Sequence, residues 1–334
     1  MQNQSPHKPQ RVRDAVKQLV WDASDKRLRA GWRILIHLFV TMILMGLIAL
    51  VWSLFVYVIA TPLQVDASIW GALNRAGISL ASLGVIAGLA LAGRFLDHRA
   101  FKSFGFVLDR RWWRDLGFGL VLGGALMALI FGVQYALGWV EITGVLQSRT
   151  PFFAVDLVLY VGYFIAVGIQ EEVIIRGYWL RNLAEGLNSR RVGPGAALLI
   201  SYGLSSALFG VLHLGNPNAS LVSTVNLILA GLLLGLPYVL TGELAIPIGL
   251  HITWNFFQGN VFGFPVSGMT PDTVSIAIRQ GGPEIWTGGA FGPEAGLIGV
   301  LAMLAGAGLI VMWLKIARKQ LVWRKDLAVY APPT

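Results

Sequence analysis

Apolar residues run along this chain in blocks far longer than one face of a soluble helix or strand would need. Eight blocks stand out, at approximately 34–60, 77–97, 115–138, 154–174, 195–213, 221–240, 244–262 and 295–314. A helix needs about 20 residues to cross a bilayer. The pattern therefore predicts an all-α polytopic membrane protein of about eight transmembrane helices, with little room for a soluble domain.

Composition agrees, since 55% of the 334 residues are apolar and only 13% are charged, against about 25% charged in soluble domains. The placement of charge is an independent test, because lysine and arginine collect in cytoplasmic loops. With the N-terminus inside, 23 of the 26 basic residues fall before the first span, in 94–114, in 176–194 or after the last span. Only Arg75, Arg149 and Arg279 fall outside. An even number of spans with both termini cytoplasmic follows. The chain divides into a basic segment 1–33, a membrane bundle 34–314 and a basic tail 315–334.

The net charge of +9 then reads as topology and attraction to anionic lipids, rather than as nucleic-acid binding. The leading segment mixes charge with Val12, Val16, Leu19, Trp21 and Leu28, which suits either a helix lying on the membrane surface or a solvated basic tail. The first apolar block is too long for the core of a cleavable signal peptide. With no cysteine in the chain, thiolate chemistry is excluded. Trp112, Trp113 and Trp139 read as interface anchors, and the 40 glycines as close-packing points between helices.

Ionisable groups inside membrane helices cost about 2.5–3.5 kcal/mol each on insertion scales and are functional candidates for that reason. Set apart from span ends such as Asp115 and Asp156, they are Glu171, Glu172, His213 and His251, with His37 isolated and interfacial by default. Glu172 and Arg176 are four apart and share a helix face, while Glu171 points about 100° away. Their pairing has a purely structural alternative, an ion pair at a helix end. His213 follows Phe209 by four and precedes Gly215, Asn216 and Pro217, which should end the helix. His251 and Asn255 again share a face.

These residue types form a chemical set. A carboxylate and an imidazole can activate a water, and a second imidazole and an amide can stabilise an oxyanion. Glu171, His213 and His251 could instead ligate zinc with a water in the open position, yet no H-E-x-x-H helix is present, and the need for a cofactor stays open. A proton-coupled transporter could use the same buried Glu and His, but no duplicated half is visible and no nucleotide-binding G-x-x-x-x-G-K-[ST] occurs.

In order along the chain, Glu171-Glu172-x-x-x-Arg176, Phe209-x-x-x-His213 and His251-x-x-x-Asn255 resemble the CAAX protease and bacteriocin-processing (CPBP, or Abi) family of intramembrane endopeptidases. The surroundings, Leu96 to Gly119, Thr241 to Phe256 and Trp286 to Gly296, are similar to bacterial members. The resemblance implies an eight-helix membrane protease of a bacterial inner membrane, cutting a peptide or protein that is prenylated or otherwise membrane-associated. It implies that Glu171 and His213 activate water, that His251 and Asn255 bind the oxyanion, and that Glu172, Arg176 and Phe209 support them. A non-catalytic scaffold or bacteriocin-immunity protein of the same fold is the alternative.

Straight rods resist this site. A fourth span ending near 174 and a fifth ending near 213 would hold Glu171 and His213 up to about 25–30 Å apart at 1.5 Å per residue. Either the fifth span begins deep in the bundle, or His213 lies mid-membrane at a broken helix beside a wet cavity. A cavity open toward the cytoplasm is expected.

Overall fold

A computed structural model of the chain describes residues 18–319 and 321–331. The helices are α1 (Ala30–Ala60), α2 (Ala67–Ala81), α3 (Leu83–Phe95), α4 (Arg110–Ala136), α5 (Phe153–Glu172), α6 (Arg181–Leu187), α7 (Gly193–Leu212), α8 (Leu221–Thr241), α9 (Ala245–Phe256), the short α10 (Glu284–Thr287) and α11 (Leu297–Arg318). Among the described residues, seven helical segments are long and apolar enough to cross a membrane. The chain is an integral multi-pass membrane protein. Phe39, Met42, Leu50 and Leu54 on α1 stay exposed, an apolar surface of the kind that lipid covers.

Of the eight apolar blocks, one forms a shorter helix than a bilayer span needs. The block 244–262 forms the 12-residue α9, continued by a 5-residue π-helix, Phe257–Val261. It still runs the length of the bundle: the Leu244 N–H donates to the Gly105 carbonyl (3.1 Å), and Asn260 Nδ2 donates to the Thr273 carbonyl (2.6 Å) at the other end. A short helix suffices because it is enclosed by protein. A Cβ on Gly119 of α4 would stand 2.4 Å from the Ile246 carbonyl oxygen, and one on Gly249 would stand 2.4 Å from that of Leu116. Backbone touches backbone here, the small-residue packing of membrane helices.

The fourth block corrects the straight-rod picture. From α5 the chain continues through a π-helix, Val173–Leu180, into α6, making one segment of 35 residues from Phe153 to Leu187, about 50 Å long. Glu171 therefore lies near the middle of a long rod, so the fifth span need not begin deep in the bundle for Glu171 and His213 to line one cavity. Arg176, counted in sequence with the cytoplasmic loop, is buried in the bundle.

Charged residues mark the two ends. At one end Arg27, Arg33, Arg99 and Arg181 meet Asp97 and Glu185, and Arg318 bridges Asp115 and Glu243, both at 2.6 Å. At the other end Arg75 bridges Asp156 and Asp272, both at 3.1 Å. That second end carries an antiparallel pair, β3 (Val140–Ser148) and β4 (Thr273–Gln280), in register from Val140↔Gln280 to Ser148↔Thr273. The all-α expectation missed this ribbon, although β-branched residues recur in both segments.

Smaller expectations also change. Trp21–Asp22 and Arg27–Leu28 pair as strands β1 and β2, so this part of the leading segment is a hairpin rather than a surface helix; Val12 and Val16 lie outside the described residues. The tail folds back, with the Tyr330 ring 3.4 Å from the Arg27 guanidinium carbon. His37 is not interfacial but buried, stacked on Tyr178 at 3.9 Å. Trp112 is buried too, donating its indole N–H to the Gly105 carbonyl (2.8 Å), and so is no interface anchor.

Candidate active site

The three motifs meet around Arg176. Its Nη1 donates to Glu172 Oε1 (2.8 Å), its Nη2 donates to the Gly231 carbonyl of α8 (3.0 Å), and its guanidinium carbon lies 4.6 Å from the centre of the Phe209 ring. A guanidinium over an aromatic face is attracted by the ring quadrupole. One side chain thus ties α5, α7 and α8 together. The pairing expected from the i,i+4 spacing is present, fully buried, in the interior rather than at a helix end.

The π-helix begins directly after Glu172, and a second one begins two residues after Asn255. Such wide turns insert an extra residue into a helix and re-aim the side chains on either side of it. Two of the three motif-bearing helices are modified in this way, α5 within the Glu171–Arg176 motif and α9 just beyond Asn255.

Glu172 Oε1 also lies 2.9 Å from His251 Nδ1. A carboxylate accepts only, so the assigned role is Nδ1–H donating to Glu172. This bond fixes the ring and turns Nε2 toward Glu171, whose Oε2 is 3.8 Å away. Glu171 Oε2 has no hydrogen bond, and the side chain is 28% exposed. Two adjacent glutamates therefore do different things. One is enclosed between an arginine and an imidazole, while the other opens into a cavity.

That cavity, of about 340 Å³, is lined by Glu171, Phe209, His213, His251 and Asn255 together. His213 caps the end of α7, where its Nδ1 lies 2.7 Å from the Phe209 carbonyl oxygen; an acceptor there requires Nδ1–H, leaving Nε2 free. The expected break follows, with the Asn216 N–H donating to the His213 carbonyl (3.1 Å) and Asn216 Nδ2 to the Ser267 carbonyl (3.0 Å). His251 is the imidazole in contact with the carboxylates, and His213 faces the same space from α7.

Two expectations about the cavity change. Its remaining polar lining includes Asn216, Ser267 and Glu294 from segments at the Arg75–Asp156–Asp272 end, so it does not open toward the basic end. Among the described residues no group of three His, Asp or Glu is arranged to hold a metal ion. Nδ1 of each imidazole is held by a hydrogen bond and Nε2 is left free, which by itself suits a ligating histidine; it is the spacing of the three side chains that fails. The candidate zinc set of Glu171, His213 and His251 thus does not fit the geometry, and no step below runs through a metal.

Glu294 is the lining carboxylate that the sequence reading passed over. It is buried beside Gln258 and accepts the Ser267 N–H at 2.5 Å. Burial pushes its pKa up to about 7. A lone acid in a Gly- and Pro-rich stretch just before the last span was the available signal.

The chain is thus a multi-pass helical bundle whose buried Glu–Arg–His cluster opens on an internal cavity. Residues 153–257 match the family model described as Type II CAAX prenyl endopeptidase Rce1-like, a stretch that contains all three motifs. The match supports the resemblance to the CPBP family and, with it, the reading of a protease that acts on peptides or proteins. No curated protein and no solved structure matches the chain.

Proposed function

We propose that Glu171, His213, His251 and Asn255 hydrolyse a peptide bond inside the cavity, with Glu172, Arg176 and Phe209 holding them in place. The observation that carries this reading is the split between the glutamates: Glu172, fully buried, bonds Arg176 and His251 through Oε1 and does not line the cavity, while Glu171 lines it with Oε2 unbonded. Glu171 takes a proton from a water that it shares with His213, and the resulting hydroxide adds to the scissile carbonyl. His251, held through Nδ1 on Glu172 with Nε2 turned outward, and Asn255 one turn on, face the oxyanion. Collapse of the oxyanion breaks the C–N bond as Glu171 returns the proton to the leaving amine, so a carboxylic acid and an amine are released.

The substrate in this reading is a membrane-associated peptide or protein, prenylated ones included, and the setting is a bacterial inner membrane whose anionic lipids meet the basic segments 1–33 and 315–334. The test compares cells expressing the wild type with cells expressing Glu171→Gln at matched abundance, by proteomics of protein and peptide C-termini. New termini seen only with the wild type are expected. Identical termini together with an unchanged cellular effect would assign a non-catalytic scaffold instead.

A further inference from the structure

The rim of the cavity comes from one end of the bundle. Asn216 lies in the turn between α7 and α8, Val266, Ser267 and Met269 lie before β4, and Glu294 precedes α11. Among the described residues, none from the connections 96–109, 188–192, 242–244 or 319–331 lines it. The rim end is the end of Arg75, Asp156 and Asp272: Tyr160, one turn from the lining residue Phe164, donates to Asp272 Oδ1 (2.8 Å), three residues beyond Met269. Arg27, Arg33, Arg99, Arg181 and Arg318 all gather at the opposite end.

Basic residues are retained on the cytoplasmic side of a membrane. The rim therefore faces away from the cytoplasm. Tyr163 lines the cavity near that side and Glu171 lines it two turns deeper, about 12 Å along the helix. Three of the lining residues, Ile78, Leu212 and Met269, are about half exposed, at 48%, 59% and 48%. Apolar side chains exposed beside an opening in a membrane helix bundle let it admit a hydrocarbon group as well as a peptide backbone.

We infer that the site takes its substrate from the non-cytoplasmic side: a peptide segment of an exported or outer-leaflet protein, held at the membrane by an apolar group. The term substrate rests on the protease reading above, whereas the side of access does not. Reversing the direction of entry would require a second opening at the basic end, where no described residue lines the cavity.

Since the chain contains no cysteine, single introduced thiols report one place each. Met269→Cys and, as a second rim position, Leu212→Cys are compared with Ser189→Cys, exposed at the basic end, in spheroplasts treated with a membrane-impermeant sulfonated maleimide before and after permeabilisation. The expected result is reaction of Met269→Cys or Leu212→Cys in intact spheroplasts and of Ser189→Cys only after permeabilisation. Reaction of Ser189→Cys in intact spheroplasts, or of both rim thiols only after permeabilisation, overturns the inference.

The C-terminal proteomics supplies the second readout. Wild-type-specific termini in exported proteins support outside access, and termini confined to cytoplasmic proteins overturn it while leaving the protease reading intact. If no termini change, the protease reading fails and the labelling pattern alone decides the side of access.

Discussion

At the basic end, Arg27, Arg33, Arg99 and Arg181 surround Asp97 and Glu185, whereas mid-bundle a single arginine, Arg176, faces Glu172, with Glu171 and His251 beside it. Both clusters are buried and both draw on several helices. They differ in which charge is in excess. With cations in excess, each carboxylate of the basic-end cluster meets a guanidinium, Glu185 included, although it lines a cavity beside α1. With carboxylates in excess, the central cluster uses its arginine on Glu172 and leaves Glu171 with only an imidazole at 3.8 Å. Charge stoichiometry separates a structural ion cluster from a centre with a proton acceptor to spare.

The sharpest way to break this comparison is Glu171→Gln. Loss of general-base catalysis lowers the rate by about 10²–10⁴-fold, and because Glu171 Oε2 is bonded to nothing, thermal unfolding in detergent should hardly move. A variant that keeps full cleavage while folding normally would dissolve the distinction between the two glutamates.

Arg176→Met should act in the opposite way. Removing one partner of a buried pair destabilises by about 3–5 kcal/mol, read as lowered thermal stability in detergent. Glu185→Gln in the basic-end cluster should destabilise comparably and leave cleavage per folded molecule unchanged. If Glu185→Gln abolished cleavage in folded protein, the basic-end cluster would not be merely structural.

A smaller effect is expected for Asn255→Ala. Loss of one oxyanion donor lowers kcat by about 10²–10³-fold, with KM little changed; a change confined to KM would place Asn255 in binding instead.

Glu294 provides the mildest test, through pH. Its pKa is raised from 4.5 to about 7 by burial, so the folded state binds the proton more tightly than the unfolded one. The stability it contributes is fully present below about pH 4.5 and is lost as pH rises through about 7. Hydrogen-exchange protection in 266–269, taken relative to the intrinsic base-catalysed rate, should fall over that window in the wild type and stay level in Glu294→Gln. An identical pH profile in the variant would remove Glu294 from the anchoring of the rim.

Much of this was legible in the residues themselves. Chain-wide hydropathy and the Lys/Arg asymmetry needed no tertiary information, because hydrocarbon excludes backbone and charge locally, segment by segment. The i,i+4 spacings of Glu172 with Arg176 and of Phe209 with His213 also held, because neighbours one turn apart are set by helix geometry. The ribbon of β3 and β4 was not legible, since its partners lie more than a hundred positions apart and their pairing is satisfied only when the helices bring them together.

The sequence alone determined a polytopic helical bundle, its orientation by charge and the candidate residues Glu171, Glu172, Arg176, Phe209, His213, His251 and Asn255. Only the tertiary structure decided that Glu172 rather than Glu171 takes the arginine and the imidazole, that α5 and α6 form one rod placing both at mid-depth, and that the cavity opens at the end away from the basic residues. Those outcomes depend on side chains from α7, α8 and α9 converging on one point, and such convergence is a property of helix packing that no local spacing encodes.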